Sequence, residues 1–409
     1  MSDENLVSDD ALREEVRAWL AERWNPERAL AFVGEHLNWN TSDEMKAWAS
    51  EVVEARWAVP SWPVEWFGRG STISQSKIIA QEFERVQAPC AGQDFSSLYG
   101  NTLLGRGSEA LKNKLLEPIL KGEVDMCLLY SEPGAGSDLA GIRTRADLRG
   151  DHYVVNGQKV WSSGAMESDY GMLIARTDWD VPKHAGISFF FLPLKQPGVD
   201  VRPLRQITDE SHFNEVFITD AIVPAENIVG EVNTGWKVLQ TALAYERLSM
   251  GDATTARSSD IAAKESLKEE VLVALAREAG VLDDPVLRQK IAQAIAYQKL
   301  NELTGKRVEA EVKQGMTSPA MSLGKLAMSR VLHEEARVRT AILGAQSLFE
   351  GDDYPRAKDT NFLTLQAYLT SIGGGTDQIQ RNIIGERVLG LPKEPEVDKA
   401  IPFREVRKS

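Results

Sequence analysis

Tyr130-Ser131-Glu132-Pro133-Gly134-Ala135-Gly136-Ser137-Asp138-Leu139-Ala140-Gly141 stands where one periodicity ends and another begins. Upstream, residues 9–120 read mainly as helix. The segment 43–56 has Thr41 or Ser42 available as a cap, and 74–87 carries Ile78, Ile79 and Phe83 at helical spacing. Pro60, Pro63 and Gly68-Arg69-Gly70 interrupt the series. Downstream the period becomes two. His152-Tyr153-Val154-Val155 and Gln158-Lys159-Val160-Trp161 predict a hairpin turning at Asn156-Gly157, because Asn-Gly supplies positive φ. Strands are expected at 171–176, 187–193 and 215–219, the second apolar enough for a sheet core. Helices do not alternate with these strands, so the middle third is expected to be an antiparallel β domain rather than a doubly wound sheet. From Thr234 helical segments return at 234–258, 284–314, 318–350, 358–372 and 376–388, which predicts a bundle. The fold class is therefore α+β, divided as 1–125 helical, 126–233 β and 234–409 helical.

Composition narrows the function classes. A length of 409 residues with 43% hydrophobic content allows two or three core-forming units. A net charge of −13 argues against a nucleic-acid surface, which needs clustered cations. Cys90 and Cys127 are too few for a disulfide framework and read as small buried hydrophobes in a reducing compartment. The acidic start MSDENLVSDDALREE has no apolar segment of the secretory kind. No apolar run approaches the roughly 20 residues that span a bilayer, so the cytoplasm is the expected location. The five histidines are scattered, with neither HExxH nor a Cys/His cluster, and no metal is expected. A GxSxG elbow is missing, and Gly134 and Gly136 do not complete a dinucleotide-binding GxGxxG.

Three segments carry chemistry. Small residues at 133–137 let a ligand approach the backbone, and free N–H groups and hydroxyls can meet ring carbonyls or phosphates, although such a loop also fits a plain turn. Gly373-Gly374-Gly375-Thr376 opens a helix whose dipole and hydroxyl can hold an anion. Between 235 and 250, Leu239, Ala242, Leu243 and Met250 share a helical face with Glu246. A carboxylate on the core side must be paired with an arginine, protonated, or turned to a cavity.

In spelling, Ser131 to Gly141 resembles the first signature of the acyl-CoA dehydrogenase family. Trp161-Ser162-Ser163 resembles the family's W-[IS]-[ST] strand, and Gly373 to Arg387, running into Val388-Leu389-Gly390-Leu391-Pro392, resembles its second signature. The likeness covers residues 90–392. It implies the acyl-CoA dehydrogenase fold with a C-terminal four-helix bundle, bound FAD, and removal of two hydrogens from an acyl-CoA thioester in lipid degradation. It further implies that Tyr130 and Ser131 line the flavin ring and that Trp161 and Ser163 lie on the isoalloxazine. Gly344, Thr376 and Gln378 would also meet the cofactor, while Ser137, Arg247 and Gly375 would meet the substrate.

Many members carry the catalytic glutamate where this chain has Gly374, which accepts no proton. Tyr245-Glu246-Arg247 matches the place where isovaleryl-type and long-chain-type members carry it instead. The resemblance thus implies Glu246 as the base, the Gly374 backbone N–H as donor to the thioester oxygen, and flavin N5 as hydride acceptor. Three consecutive glycines leave volume for a branched or bulky acyl group. The family's R-x-x-F-G segment has no counterpart in 263–274. A homotetramer or dimer is one expectation, and a heterotetramer of the kind found among steroid-degrading members is the other. Electron-transfer flavoprotein is the implied acceptor. A non-catalytic subunit of a heteromer and an acyl-CoA oxidase are the alternatives.

Overall fold

The computed structural model describes residues 8–32, 41–251, 269–313 and 319–407. The chain forms two compact units, one of residues 1–204, 211–249 and 397–409, the other of 205–210 and 250–396.

The first unit opens with α1 (Asp9–Arg23), α2 (Arg28–Ala31), α3 (Asp43–Glu54), α4 (Ile73–Arg85), α5 (Gln93–Ser96), α6 (Leu98–Arg106) and α7 (Glu109–Leu120). Ser42, not Thr41, caps α3 by accepting the Met45 N–H at 3.1 Å, and Thr72 with Gln75 forms a reciprocal capping box on α4. Each satisfies N–H groups that the first helical turn leaves without partners. Trp19, Trp24, Trp48, Trp57 and Phe83 make a continuous aromatic cluster among these helices and the chain just past α1 and α3, with centroids 4.7 to 6.3 Å apart. At its edge the buried Glu82 meets Arg13, Arg17 and Arg85 at 3.0, 2.8 and 2.9 Å. The Arg17 hydrogen bonds lead in holding the Glu82 carboxyl down to about 2 against the opposing pull of burial.

Seven strands follow: β1 (Met126–Leu129), β2 (Arg145–Arg149), β3 (His152–Ser163), β4 (Tyr170–Arg176), β5 (Ile187–Pro193), β6 (Val199–Leu204) and β7 (Phe213–Pro224). The order is β1-β4-β2-β3-β7-β6, with β5 also paired to β4. The sheet is mixed, since β1 joins β4 in parallel while β3, β5, β6 and β7 pair antiparallel. Strand β5 explains its own unbroken apolar run. Phe189 and Phe191 face the core shared with the N-terminal helices, and Phe190 and Leu192 face the core inside the sheet, all fully buried.

Asn156-Gly157 is not a turn. It lies within β3, and the chain reverses instead at Gly150-Asp151, where Arg149 pairs with His152 and Gly150 takes φ +64°. The glycine at 157 answers to space: a Cβ there would sit 2.3 Å from Thr144 Oγ1. Asn156 is used by its side chain, which exchanges two 2.9 Å hydrogen bonds with Asp220 beside a register shift in the ladder.

Helix α8 (Gly235–Gly251) lays Leu239 and Ala242 into the first unit's core. Residues 397–407 return to this unit as a strap that ends beyond a short 3-10 turn, Phe403–Glu405. Both cysteines are buried. Burial pushes the Cys90 thiol far up and the Cys127 thiol up to about 12.

The second unit comprises α9 (Glu269–Glu278), α10 (Pro285–Lys313), α11 (Gly324–Leu343), α12 (Pro355–Ile372) and α13 (Asp377–Ile383), with Leu272, Ile291, Val338 and Ile342 in its core. The segment expected at 318–350 is interrupted on both sides by 3-10 turns, and Gly344 ends α11 at φ +54°. Among the described residues no helix is long and apolar enough to cross a membrane.

Candidate active site

The loop at 131–141 is shaped by buried charge. The backbone N–H groups of Glu132 and Ala135 donate to each other's carbonyls at 3.0 Å, closing a tight turn. The Glu132 carboxylate accepts from the N–H groups of Arg143 and Thr144 at 2.7 and 2.8 Å and from Lys159 Nζ at 2.9 Å. Burial alone would raise the Glu132 carboxyl, but the Lys159 charge and these donors outweigh it and leave it below the usual range. Lys159 is fully buried, and for it burial prevails over the carboxylate, so the ammonium is shifted down. Arg176, also fully buried, donates to the Ala140 and Ile142 carbonyls at 2.7 and 3.2 Å, and burial draws it down to about 10. Lys183 reaches Asp138 of the loop at 3.1 Å.

The Trp161 strand lies beside this loop, because the Val160 N–H donates to the Ser131 carbonyl at 3.0 Å. Between Lys159 and Ser162 the register of β3 shifts, and within that bulge Trp161 takes φ +64° with 57% of its surface exposed. A large aromatic residue held in the left-handed region and turned to solvent is strained and gains nothing from burial, which marks a surface built for something outside the core. Phe213 supports the Trp161 ring edge-on at 5.8 Å. The Ser131 and Ser163 hydroxyls make no hydrogen bond among the described residues, while the Ser162 hydroxyl is buried without a partner. A Cβ added at Gly134 or Gly136 would meet nothing within 4 Å, and Ser137 is exposed beside them. A planar ring system carrying polar edges and phosphates fits this combination of exposed indole, free hydroxyls and bare backbone.

Tyr130 stands apart from that surface. Its ring packs edge-on to Phe189 at 6.0 Å with the hydroxyl toward Met172, and its carbonyl accepts from Lys159 at 3.1 Å. Glu246 and Arg247 belong to the backbone of α8, but their side chains, like that of Met250, lie outside the described residues. Most of 263–274 also lies outside them.

In the second unit Gly374, Gly375, Thr376 and Gln378 come together in one turn. Gly374 and Gly375 take φ +63° and +88°, and the Gln380 amide donates to the Gly374 carbonyl at 3.0 Å. The Thr376 hydroxyl caps α13 by accepting the Ile379 N–H at 3.2 Å, and Gln378 is exposed. Asp377 ties the turn to α11 through Lys325 at 3.3 Å and Ser329 at 2.8 Å. Gly344 is exposed at the end of that helix.

Sequence reasoning overlooked Glu132, Lys159, Arg176 and Asp377. A lysine in a strand reads as solvent-facing, but Lys159 shares the alternation of buried Tyr153 and Val155, and its ammonium is enclosed against the Tyr130 carbonyl and Glu132.

Residues 8–123, 127–220 and 233–389 match, in turn, the family models for the N-terminal, middle and C-terminal domains of acyl-CoA dehydrogenase. The chain belongs to the acyl-CoA dehydrogenase family, whose members are FAD-dependent oxidoreductases. It is 34% identical over 407 residues to "Acyl-CoA dehydrogenase IpdE1" of Mycolicibacterium smegmatis, covering 95% of this chain and 99% of that protein. Among solved structures it resembles "Tcur3481-Tcur3483 steroid ACAD", with TM-score 0.70, 27% identity and 96% and 100% of the two chains covered. It also resembles the ChsE4-ChsE5 complex from Mycobacterium tuberculosis, with TM-score 0.69, 28% identity and the same coverage.

Proposed function

We propose that this chain performs the FAD-dependent α,β-dehydrogenation of an acyl-CoA thioester to the trans-2-enoyl-CoA, with Glu246 as base. The observation that carries the reading is the exposed Trp161 bulge hydrogen-bonded alongside the 131–141 loop. Trp161, Ser131 and Ser163 would hold the flavin ring, with Thr376, Gln378 and Gly344 as further contacts, and Ser137, Arg247 and Gly375 would meet the thioester. FAD held there would supply the two-electron acceptor for the β hydrogen, the proposed hydride acceptor being flavin N5.

The chain's own residues do the rest. An α proton next to a thioester is weakly acidic, so a preorganised donor must stabilise the enolate oxygen. The Gly374 N–H fills that role without a side chain, and its φ of +63° is a conformation glycine adopts without strain. Support for the base comes from the sequence, where Glu246 follows Leu239 by seven residues and Ala242 by four, the spacing of one helical face. Substrate that excludes water raises a carboxyl toward the working pH and improves it as a base.

Glu246→Gln is expected to retain FAD but to lose anaerobic bleaching by substrate, with the reductive rate falling about 10²–10⁴-fold. Bleaching at the normal rate would exclude the assignment.

The acyl group is proposed to be branched or bulky, given three consecutive glycines and a relative described as a steroid enzyme. Electron-transfer flavoprotein is the proposed acceptor, the cytoplasm the proposed location, and the three-domain division at 125 and 233 is kept. A heteromeric assembly is favoured over a homotetramer because two similar structures are described as two-chain pairs. The flavin-to-protein ratio of the chain purified alone separates the two, since a full complement of FAD removes the need for a partner.

A further inference from the structure

The strap at 397–407 makes three separate ties to the groups that shape the 131–141 loop. The Phe403 ring is 1% exposed and lies under the Arg176 guanidinium at 3.4 Å, with Arg143 at 4.9 Å. Arg176 is the group that holds the Ala140 and Ile142 carbonyls. Lys183 bridges the loop and the strap, reaching Asp138 at 3.1 Å and Asp398 at 3.4 Å. The Arg143 side chain donates to the Val406 carbonyl at 3.3 Å, while its backbone N–H is one of the Glu132 donors. The strap is seated on the connection between β4 and β5, where the Phe403 and Arg404 N–H groups donate to the Val181 and Trp179 carbonyls at 2.9 and 3.0 Å.

A guanidinium this buried has no water to offset its lost hydration. It keeps its place only while carbonyls and an aromatic face surround it. Removing Phe403 exposes one side of Arg176 and frees it to leave the loop carbonyls. The loop itself has no apolar anchor between Glu132 and Asp138 except Ala135, so its shape depends on these charged ties.

We propose that the C-terminal strap is a positioning element of the active site: through Arg176, Lys183 and Arg143 it fixes the 131–141 loop and thereby the binding of the CoA portion of the thioester. This rests on the functional reading above, in which Ser137 of that loop meets CoA.

The test uses the full-length chain in its flavin-loaded assembly, with amide exchange across 131–142 and titration with free CoA as readouts. Phe403→Ala is expected to speed exchange in 131–142 with β4 and β5 unchanged, and to weaken CoA binding by up to about thirtyfold, the upper bound set by a desolvated cation–aromatic contact. The thioester KM should rise in step while kcat changes little. Phe403→Tyr, which keeps the aromatic face, should restore both readouts. Asp398→Asn, which keeps the shape of a partly exposed side chain and removes its charge, should shift both in the same direction by a smaller factor. Unchanged exchange overturns the proposal. Faster exchange with unaltered CoA affinity overturns it equally, since the strap would then be only structural. If the intact chain itself binds no CoA, the functional reading fails and this inference with it, an outcome set apart by the unsubstituted control.

Discussion

At Gly134 and Gly136 the backbone stays outside the left-handed region and a Cβ would meet open space, whereas Gly374 and Gly375 sit at φ +63° and +88°. The two turns share small residues and little else. The first is held by side chains from elsewhere in the chain, namely Lys159, Arg176 and Lys183. The second is held by its own backbone conformation together with neighbours in sequence, Thr376 and Gln380, and by Asp377 reaching α11. Glycine is thus an opening for a ligand in the first turn and a conformational requirement in the second.

Substitutions that remove each kind of support separate these accounts. The largest effect is expected for Lys159→Met, which leaves the Glu132 carboxylate buried without its cation at a cost of about 3–5 kcal/mol, read from urea unfolding. A loss under about 1 kcal/mol would show that the first turn does not depend on its distant ties. Glu82→Gln calibrates this against a carboxylate in the helical region whose cations are half-exposed. Its folded value, near 2 rather than 4.5, lies below the unfolded one, so the stabilisation is present above about pH 4.5 and lost as pH falls toward 2. Screening of the exposed arginines limits the difference from the parent chain to about 1–2 kcal/mol at neutral pH, closing through that window in pH-dependent melts. Gly375→Ala should cost about 1 kcal/mol because φ is positive and the new Cβ meets Gln380 Nε2 at 3.1 Å. Gly134→Ala should change stability by less than about 0.5 kcal/mol. A larger loss there would mean that the first turn also needs glycine for its own backbone.

Much of the architecture was legible in the sequence because it is local. The cap at Thr41 or Ser42 follows from residue type, and the apolar β5 and the helical face of Leu239 and Ala242 follow from spacing. Asn156-Gly157 misled because glycine serves two masters: the dipeptide looks like a turn, but the reason for Gly157 is Thr144, distant in sequence and close in space. The same limit hid the clamp on the 131–141 loop, since nothing near Glu132 announces Lys159, and nothing near Phe403 announces Arg176. Trp161 and the two glycine turns stand out in the sequence by their spelling. The inward placement of Tyr130, against Phe189 and Met172, was not, because it depends on which face of the sheet the N-terminal helices cover.

Both sulfhydryls of the chain lie in its interior, one of them needing a pH near 12 to ionise. At neutral pH such groups are scarcely nucleophilic. The protein consequently offers a quiet background for maleimide chemistry. A pair of cysteines introduced at exposed Gly136 and Val397 would take up spin labels selectively, so the distance between the loop and the strap could be followed without first removing native residues.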